Sequence, residues 1–290
     1  MPRYATALVG SALLLATGLG GVARAERLCV GREATIVGTD DGEVIRGTAG
    51  NDVILALGGD DVVIGADGND RVCGGAGADS IRTGSGRDRV VGGADADTIS
   101  GGGGNDRLSA GGDNDTTSGG GGDDVLVGEG GADVLDGGGG RDEVVYVFAR
   151  GGVHASLSTH RASGEGADTL LRIEDLEGTP YDDVLAGDAG SNHIDGGNGS
   201  DVVPGGDGGD HLIGGRGDDT LRGGAGADVL DDSLRVAQGV FPDTGKDRLV
   251  GGSGDDRLLA VDDVDGNDAL EGGPGHDACS ADPGDRRSGC

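Results

Sequence analysis

From Gly47 to Val145 a large aliphatic residue returns at every ninth position. Ile54, Val63, Val72, Ile81, Val90, Ile99, Leu108, Leu126, Leu135 and Val144 hold the phase, and only Thr117 breaks it. The frame is G-G-x-G-x-D-x-U-x, where U is this aliphatic residue, and eleven such nonapeptides run without a gap. A compositional accident would not hold phase for 99 residues. Outward-facing neighbours flank position eight, so positions seven to nine are expected to form a minimal strand with one side chain inward. Glycine at positions one, two and four frees the backbone for turns with positive φ. Two nonapeptides then make one coil, and repeats n and n+2 stack on the same side. The expected fold is all-β, a parallel β-roll or β-solenoid of nonapeptide coils.

The same frame resumes from Gly178 to Asp231, six repeats with Asn192 in one sixth position. A looser block follows, with Asp247 and Asp256 in frame, then Asp268 after a three-residue insertion, then Asp277. A degenerate unit carrying Glu43 precedes the first block. Residues 146–177 interrupt the array and shift its phase. Within them 152–157 alternates as a strand, and Asp168-Thr169-Leu170 leads toward the next block. The stretch 92–118 is expected to be the weak middle of the first block: Asp95 and Asp113 replace position-four glycine, and Thr117 puts a hydroxyl in the core. Aspartate tolerates left-handed backbone better than most residues.

Composition narrows the picture further. Of 290 residues, 68 are glycine and five are aromatic, so any core is thin and aliphatic. Acidic residues number 53 and basic ones 22, a net charge of −31, and 44 of the acids are aspartate. Such a chain is either disordered or folds when cations neutralise it. No basic footprint for nucleic acid is present. At the N-terminus Arg3, the apolar run Ala5–Gly20 and Ala23-Arg24-Ala25 read as a signal peptide cleaved after Ala25, which implies a secreted, extracellular protein. The apolar run is short for a membrane span, so no span is expected in the mature chain. Four cysteines pair off at the two ends, and in an oxidising compartment Cys29 with Cys73 and Cys279 with Cys290 suggest two disulfide staples. The chain then divides into a signal peptide at 1–25, a cap with the degenerate repeat at 26–46, a first block at 47–145, an interlude at 146–177, a second block at 178–231, a linker at 232–241, a third block at 242–280 and a C-terminal disulfide cap at 281–290.

The chemistry sits at position six. In the first block it is Asp52, Asp61, Asp70, Asp79, Asp88, Asp97, Asp106, Asp115, Asp124, Asp133 and Asp142. Asp183, Asp201, Asp210, Asp219 and Asp228 follow in the second block, and Asp247 and Asp256 in the third. A glycine turn exposes carbonyl oxygens, and the aspartate adds a carboxylate. Those oxygens suit a hard cation, calcium more than zinc or copper. If each ion needs loops n and n+2, the first block offers nine sites and the second four.

The pattern closely resembles the RTX (repeats-in-toxin) nonapeptide over nearly all of residues 38–279. The resemblance implies a calcium-binding β-roll in which position-six aspartates bridge ions along each edge. The ending Cys279…Asp282-Pro283-Gly284-Asp285…Cys290 resembles those of secreted actinobacterial members. No H-E-x-x-H and no G-x-S-x-G accompanies the repeats, so no enzyme activity is expected. A signal peptide and paired cysteines argue for general secretion rather than toxin export. The reading is a secreted calcium-binding repeat protein that folds on its ions. The alternative is a calcium-stiffened adhesin or cell-surface spacer with a partner that the sequence does not identify. Arg71, Arg89 and Arg107 at position seven are expected to stack on one sheet face and to offset nearby aspartate charge. Leu55, Cys73 and Val91 make an apolar stripe beside them, for residues 28–38 to cover.

Overall fold

The computed structural model describes residues 28–236, 239–241, 245–261 and 268–290. The expected signal peptide lies outside the described residues, as do parts of the linker and the third block.

Each regular repeat contributes a strand of six residues rather than three. Val53–Gly58, Val62–Asp67, Arg71–Ala76 and Ser80–Ser85 each start at position seven and run to position three of the next repeat. The alternation of a pleated strand explains the extension, because position one faces the same way as position eight. Ala56, Thr83 and Ala110 stand at position one, and each is fully buried. Most repeats fill that second inward slot with glycine, which leaves no hydropathy signal.

Strands alternate between two parallel sheets. In one, Arg71 pairs with Arg89 and Arg89 with Arg107; in the other, Ser80 pairs with Thr98 and Thr98 with Thr116. Partners are two repeats apart, so two nonapeptides make one coil, as the frame implied. There is no helix among the described residues, and the chain is the all-β parallel roll that its periodicity specifies. Ile54, Ile81, Ile99, Leu108, Leu126 and Leu135 are buried between the sheets, each worth about 1.5–3 kcal/mol of transfer free energy. Thr117 stacks between Ile99 and Leu135 in the same ladder. The apolar core divides around it, into a cluster that ends at Ala110 and another that begins at Leu126.

The interlude does not interrupt the stacking. Glu143–Val145 pairs with Asp175–Glu177, which pairs in turn with His193–Asn198. The extra chain is taken up in the other sheet. There His154–Ser156, Arg161–Ser163 and Ala167–Leu171 form an antiparallel excursion between Val134–Gly139 and Val184–Ala186. A second insertion is absorbed at a turn. Thr220 pairs with Arg248, and the intervening Val229–Val236 folds against Gly239–Phe241.

Both disulfides join the cysteines as their spacing suggests, Cys29 to Cys73 and Cys279 to Cys290. Leu28–Cys29 and Arg32–Glu33 make a small hairpin. Cys29 is fully buried, and Arg71 Nη1 donates to the Val30 carbonyl at 2.9 Å. The hairpin thus lies on the face that carries Cys73 and Arg71, whereas Ile36–Val37, also expected to cover that face, pairs with Ile54–Leu55 and extends the sheet at its edge.

Candidate metal centre

The turns that join the sheets place the acidic residues. Positions two and four hold left-handed backbone: Gly75 and Gly77 have φ of 120° and 110°, and Gly102 and Gly104 have 108° and 116°. Asp95 and Asp113 adopt φ of 71° at position four, as their tolerance of this region allows. Position-one glycine has a different reason from the one expected of it, because its φ is not positive. A Cβ on Gly101 would strike Oδ2 of Asp106 and lie 2.8 Å from the Gly119 carbonyl. The glycine makes room for the carboxylate.

The position-six aspartates form a ladder along each edge of the roll. The Asp70 N–H donates to Asp88 Oδ1 at 2.7 Å, Asp88 to Asp106 at 2.8 Å and Asp106 to Asp124 at 2.7 Å. On the opposite edge Asp61 donates to Asp79, Asp79 to Asp97, Asp97 to Asp115 and Asp115 to Asp133, all at 2.7–2.9 Å. The second block repeats the pattern from Asp183 to Asp201 and Asp219, and through Asp210 to Asp228 and Asp256. Asp219 likewise donates to Asp247. All these side chains are buried. One oxygen of each rung is thereby satisfied. The other oxygen, Oδ2, is also buried but accepts no hydrogen bond at Asp61, Asp70, Asp79, Asp97, Asp106, Asp115, Asp124, Asp133, Asp142, Asp201, Asp210, Asp228 and Asp256. A buried carboxylate oxygen with no donor costs several kcal/mol in isolation.

Two expected site residues stand apart. Asp52 Oδ2 accepts from both the N–H and the hydroxyl of Thr48, and Asp183 Oδ2 accepts from the Thr179 N–H. Asn192 Oδ1 is taken by the Asp188 N–H. The signal is the residue at position two, Thr or Asp in place of glycine. These loops open their blocks and close on themselves.

Other residues join the ladder without having been expected there. The Asp133 N–H donates to Asp168 Oδ1 at 3.1 Å and the Asp142 N–H to Glu174 Oε2 at 2.9 Å. The triplets Asp168-Thr169-Leu170 and Glu174-Asp175-Leu176 read as positions six to eight, and that was the available sign. Further along, Asp232 occupies a position-one slot, and one of its carboxylate oxygens lies within 4.8 Å of one oxygen each of Asp247 and Asp268, all three side chains buried.

Burial raises the proton affinity of these carboxylates. It pushes Asp70, Asp79, Asp97 and Asp133 up to about 6, and Asp106 and Asp115 up to about 7, against the downward pull of the N–H that each accepts. Asp201 reaches about 8, and the like charges of Asp219 and Asp183 add to the effect of burial there. Buried oxygens that lack a donor and repel one another fit a hard divalent cation, which supplies the missing partner and offsets the charge. Among the described residues no helix is long and apolar enough to cross a membrane.

Comparison with known families gives one result. The model of the RTX calcium-binding nonapeptide repeat, in four copies, matches residues 37–72, 73–108, 82–117, 109–144, 173–203, 204–231, 242–260 and 261–286. No curated protein matches the chain.

Proposed function

The chain belongs to the RTX calcium-binding nonapeptide repeat family, and from that premise we propose that it is a secreted protein which coils into its roll by binding many calcium ions between stacked turns. One observation carries the reading: along both edges the second oxygens of Asp61, Asp70, Asp79, Asp97, Asp106, Asp115, Asp124, Asp133, Asp142, Asp201, Asp210, Asp228 and Asp256 are buried and accept no hydrogen bond from the protein. Asp61, Asp70, Asp79, Asp88, Asp97, Asp106, Asp115, Asp124, Asp133 and Asp142 would hold ions in the first block. Asp201, Asp210, Asp219 and Asp228 would do so in the second, and Asp247 and Asp256 with Asp232 and Asp268 in the third. Asp52 and Asp183 would contribute least, because threonine already occupies their second oxygens. Calcium supplies charge neutralisation here and no catalysis. Secretion is supported by the leader-like residues 1–25 and by two disulfides, which persist in oxidising compartments. The proposed domain divisions follow the repeat frame.

The test is spectroscopic and gravimetric. Circular dichroism is expected to show disorder in excess chelator and β-structure in millimolar calcium. Native mass spectrometry is expected to count ions by the dozen rather than singly. One or two ions, or a full β spectrum in chelator with an unchanged melting temperature, would contradict the proposal.

A further inference from the structure

The chain carries five aromatic residues in all, and three of them, Tyr146, Phe148 and Tyr181, fall at the junction around the interlude. Tyr146 is buried, and its hydroxyl reaches Asp168 Oδ2 at 3.4 Å. Phe148 and Tyr181 are 40% and 48% exposed, so packing of the core does not account for them. An exposed aromatic side chain is costly in water and is enriched where a partner binds.

Phe148 lines an open cleft of about 610 Å³ together with Gly111, Gly112, Glu129, Gly130, Arg150 and Glu165. Glu129 sits at position two with φ of 64°, a left-handed conformation that glutamate adopts at a cost. Its Oε1 accepts from the Ser109 hydroxyl at 2.7 Å, and the residue is exposed, so no burial offsets the strain. The Arg150 N–H donates to Glu165 Oε1 at 3.1 Å. The segment after Phe148 lies against the next loop along this edge. The Val153 N–H donates to Asp183 Oδ1 at 2.6 Å, and Gly152 approaches the Asp182 carbonyl so closely that a Cβ would collide with it. Tyr181 belongs to that loop and continues the edge.

We propose that this junction is a binding site for a neutral saccharide chain. The glycine lining, which carries no side chains, and the phenyl ring suit the C–H face of a sugar ring. The two glutamates accept hydroxyl hydrogen bonds, and the guanidinium donates them. Two lining carboxylates on a chain of net charge −31 disfavour acidic polymers. A glycine lining has no pockets for peptide side chains. The second exposed aromatic residue, one loop further on, favours a chain of several rings over a single sugar.

The test uses the full chain, loaded with calcium, and titrates cellohexaose, xylohexaose and chitohexaose by calorimetry. At least one is expected to bind. Phe148→Ala is expected to weaken it by about tenfold, the scale of one lost stacking contact. Tyr181→Ala is expected to weaken the hexasaccharide but not the matching disaccharide. Gly130→Leu fills the cleft. A Cβ there meets nothing within 4 Å, so this variant is expected to fold and yet lose binding. Dichroism and calcium uptake, measured on every variant, separate a failure of this site from a failure of the calcium reading. The proposal is overturned if no member of the panel binds the folded protein, or if binding survives both Phe148→Ala and Gly130→Leu.

Discussion

Thr117 occupies a slot that every other eighth position of the first block gives to an aliphatic side chain. Its hydroxyl is buried and has no hydrogen-bond partner. Valine has the same shape and no hydroxyl, so Thr117→Val is expected to stabilise the calcium-loaded roll by about 1–2 kcal/mol, read as a raised midpoint in a denaturant titration. No gain would mean that the hydroxyl is satisfied in solution. Asp168 makes the opposite point. From the sequence it lies in the interlude, where replacement is expected to matter much less than at Asp70, Asp88 or Asp106. The structure puts it one rung above Asp133, with only 4% of its surface exposed. Asp168→Ala removes the acceptor of the Asp133 N–H, so it is expected to raise the calcium concentration at half-folding above that of the parent chain, though by less than Asp106→Ala, because the Tyr146 hydroxyl already reaches its second oxygen. A titration in which Asp168→Ala matches the parent chain would remove it from the ladder.

At the scale of the element, the six-residue strand is stabilised mainly by its neighbours. Most such strands bury two inward positions, one of them usually glycine, so a coil alone cannot offset the entropy of ordering its turns. Stability in such an array is close to a sum over adjacent coils, and the ends are where it is lost first. The two disulfides sit at those ends. The Cys29–Cys73 bond closes a separation of 44 residues, for which a chain-entropy estimate is about 4 kcal/mol. The Cys279–Cys290 bond closes 11, for about 3 kcal/mol. Replacing Cys29 and Cys73 together by serine is expected to expose the N-terminal coils to hydrogen exchange and leave the second block protected. Uniform loss of protection along the roll would show that the molecule unfolds as one unit.

At the scale of the whole molecule, the ladder couples folding to protons as well as to calcium. In the ion-free roll burial raises Asp79 and Asp97 from an ordinary value near 3.8 to about 6, and Asp106 and Asp115 to about 7. Between those values the folded form holds protons that the unfolded form has released. This contribution to stability is therefore present at pH 4 and is lost as pH rises through 6 to 7. In calcium-free buffer the chain is expected to show more β-structure at pH 5 than at pH 7.5. Protons compete with calcium for the same oxygens, so the affinity of the folded roll for calcium is expected to fall as pH drops through that window. Dichroism and calcium titrations at the two pH values check both signs. β-content that is independent of pH without calcium would show that the carboxylates do not limit folding.

The nine-residue period by itself determined the roll, the eighth-position core and the pairing of repeats n and n+2, because a strict period leaves one way to stack identical units. It also placed the acidic ladder, since aspartate at position six recurs with every aliphatic residue at position eight. Position-one glycine was legible as a pattern but not as a cause. Its role depends on where the Asp106 carboxylate comes to rest, and only the folded turn decides that. The same holds for Asp52 and Asp183, whose ladder positions look ordinary until Thr48 and Thr179 close on them. Asp168 and Glu174 were out of frame, with the insertions beside them hiding their register, and Asp232 stood in frame at position one, where no ligand was expected. Tertiary structure restored the register, because stacking in one sheet continues from Glu143 to Asp175 to His193 while the other sheet absorbs the extra chain. Periodicity specifies what repeats. Where the chain departs from its period, the neighbouring coils decide which residue fills the rung.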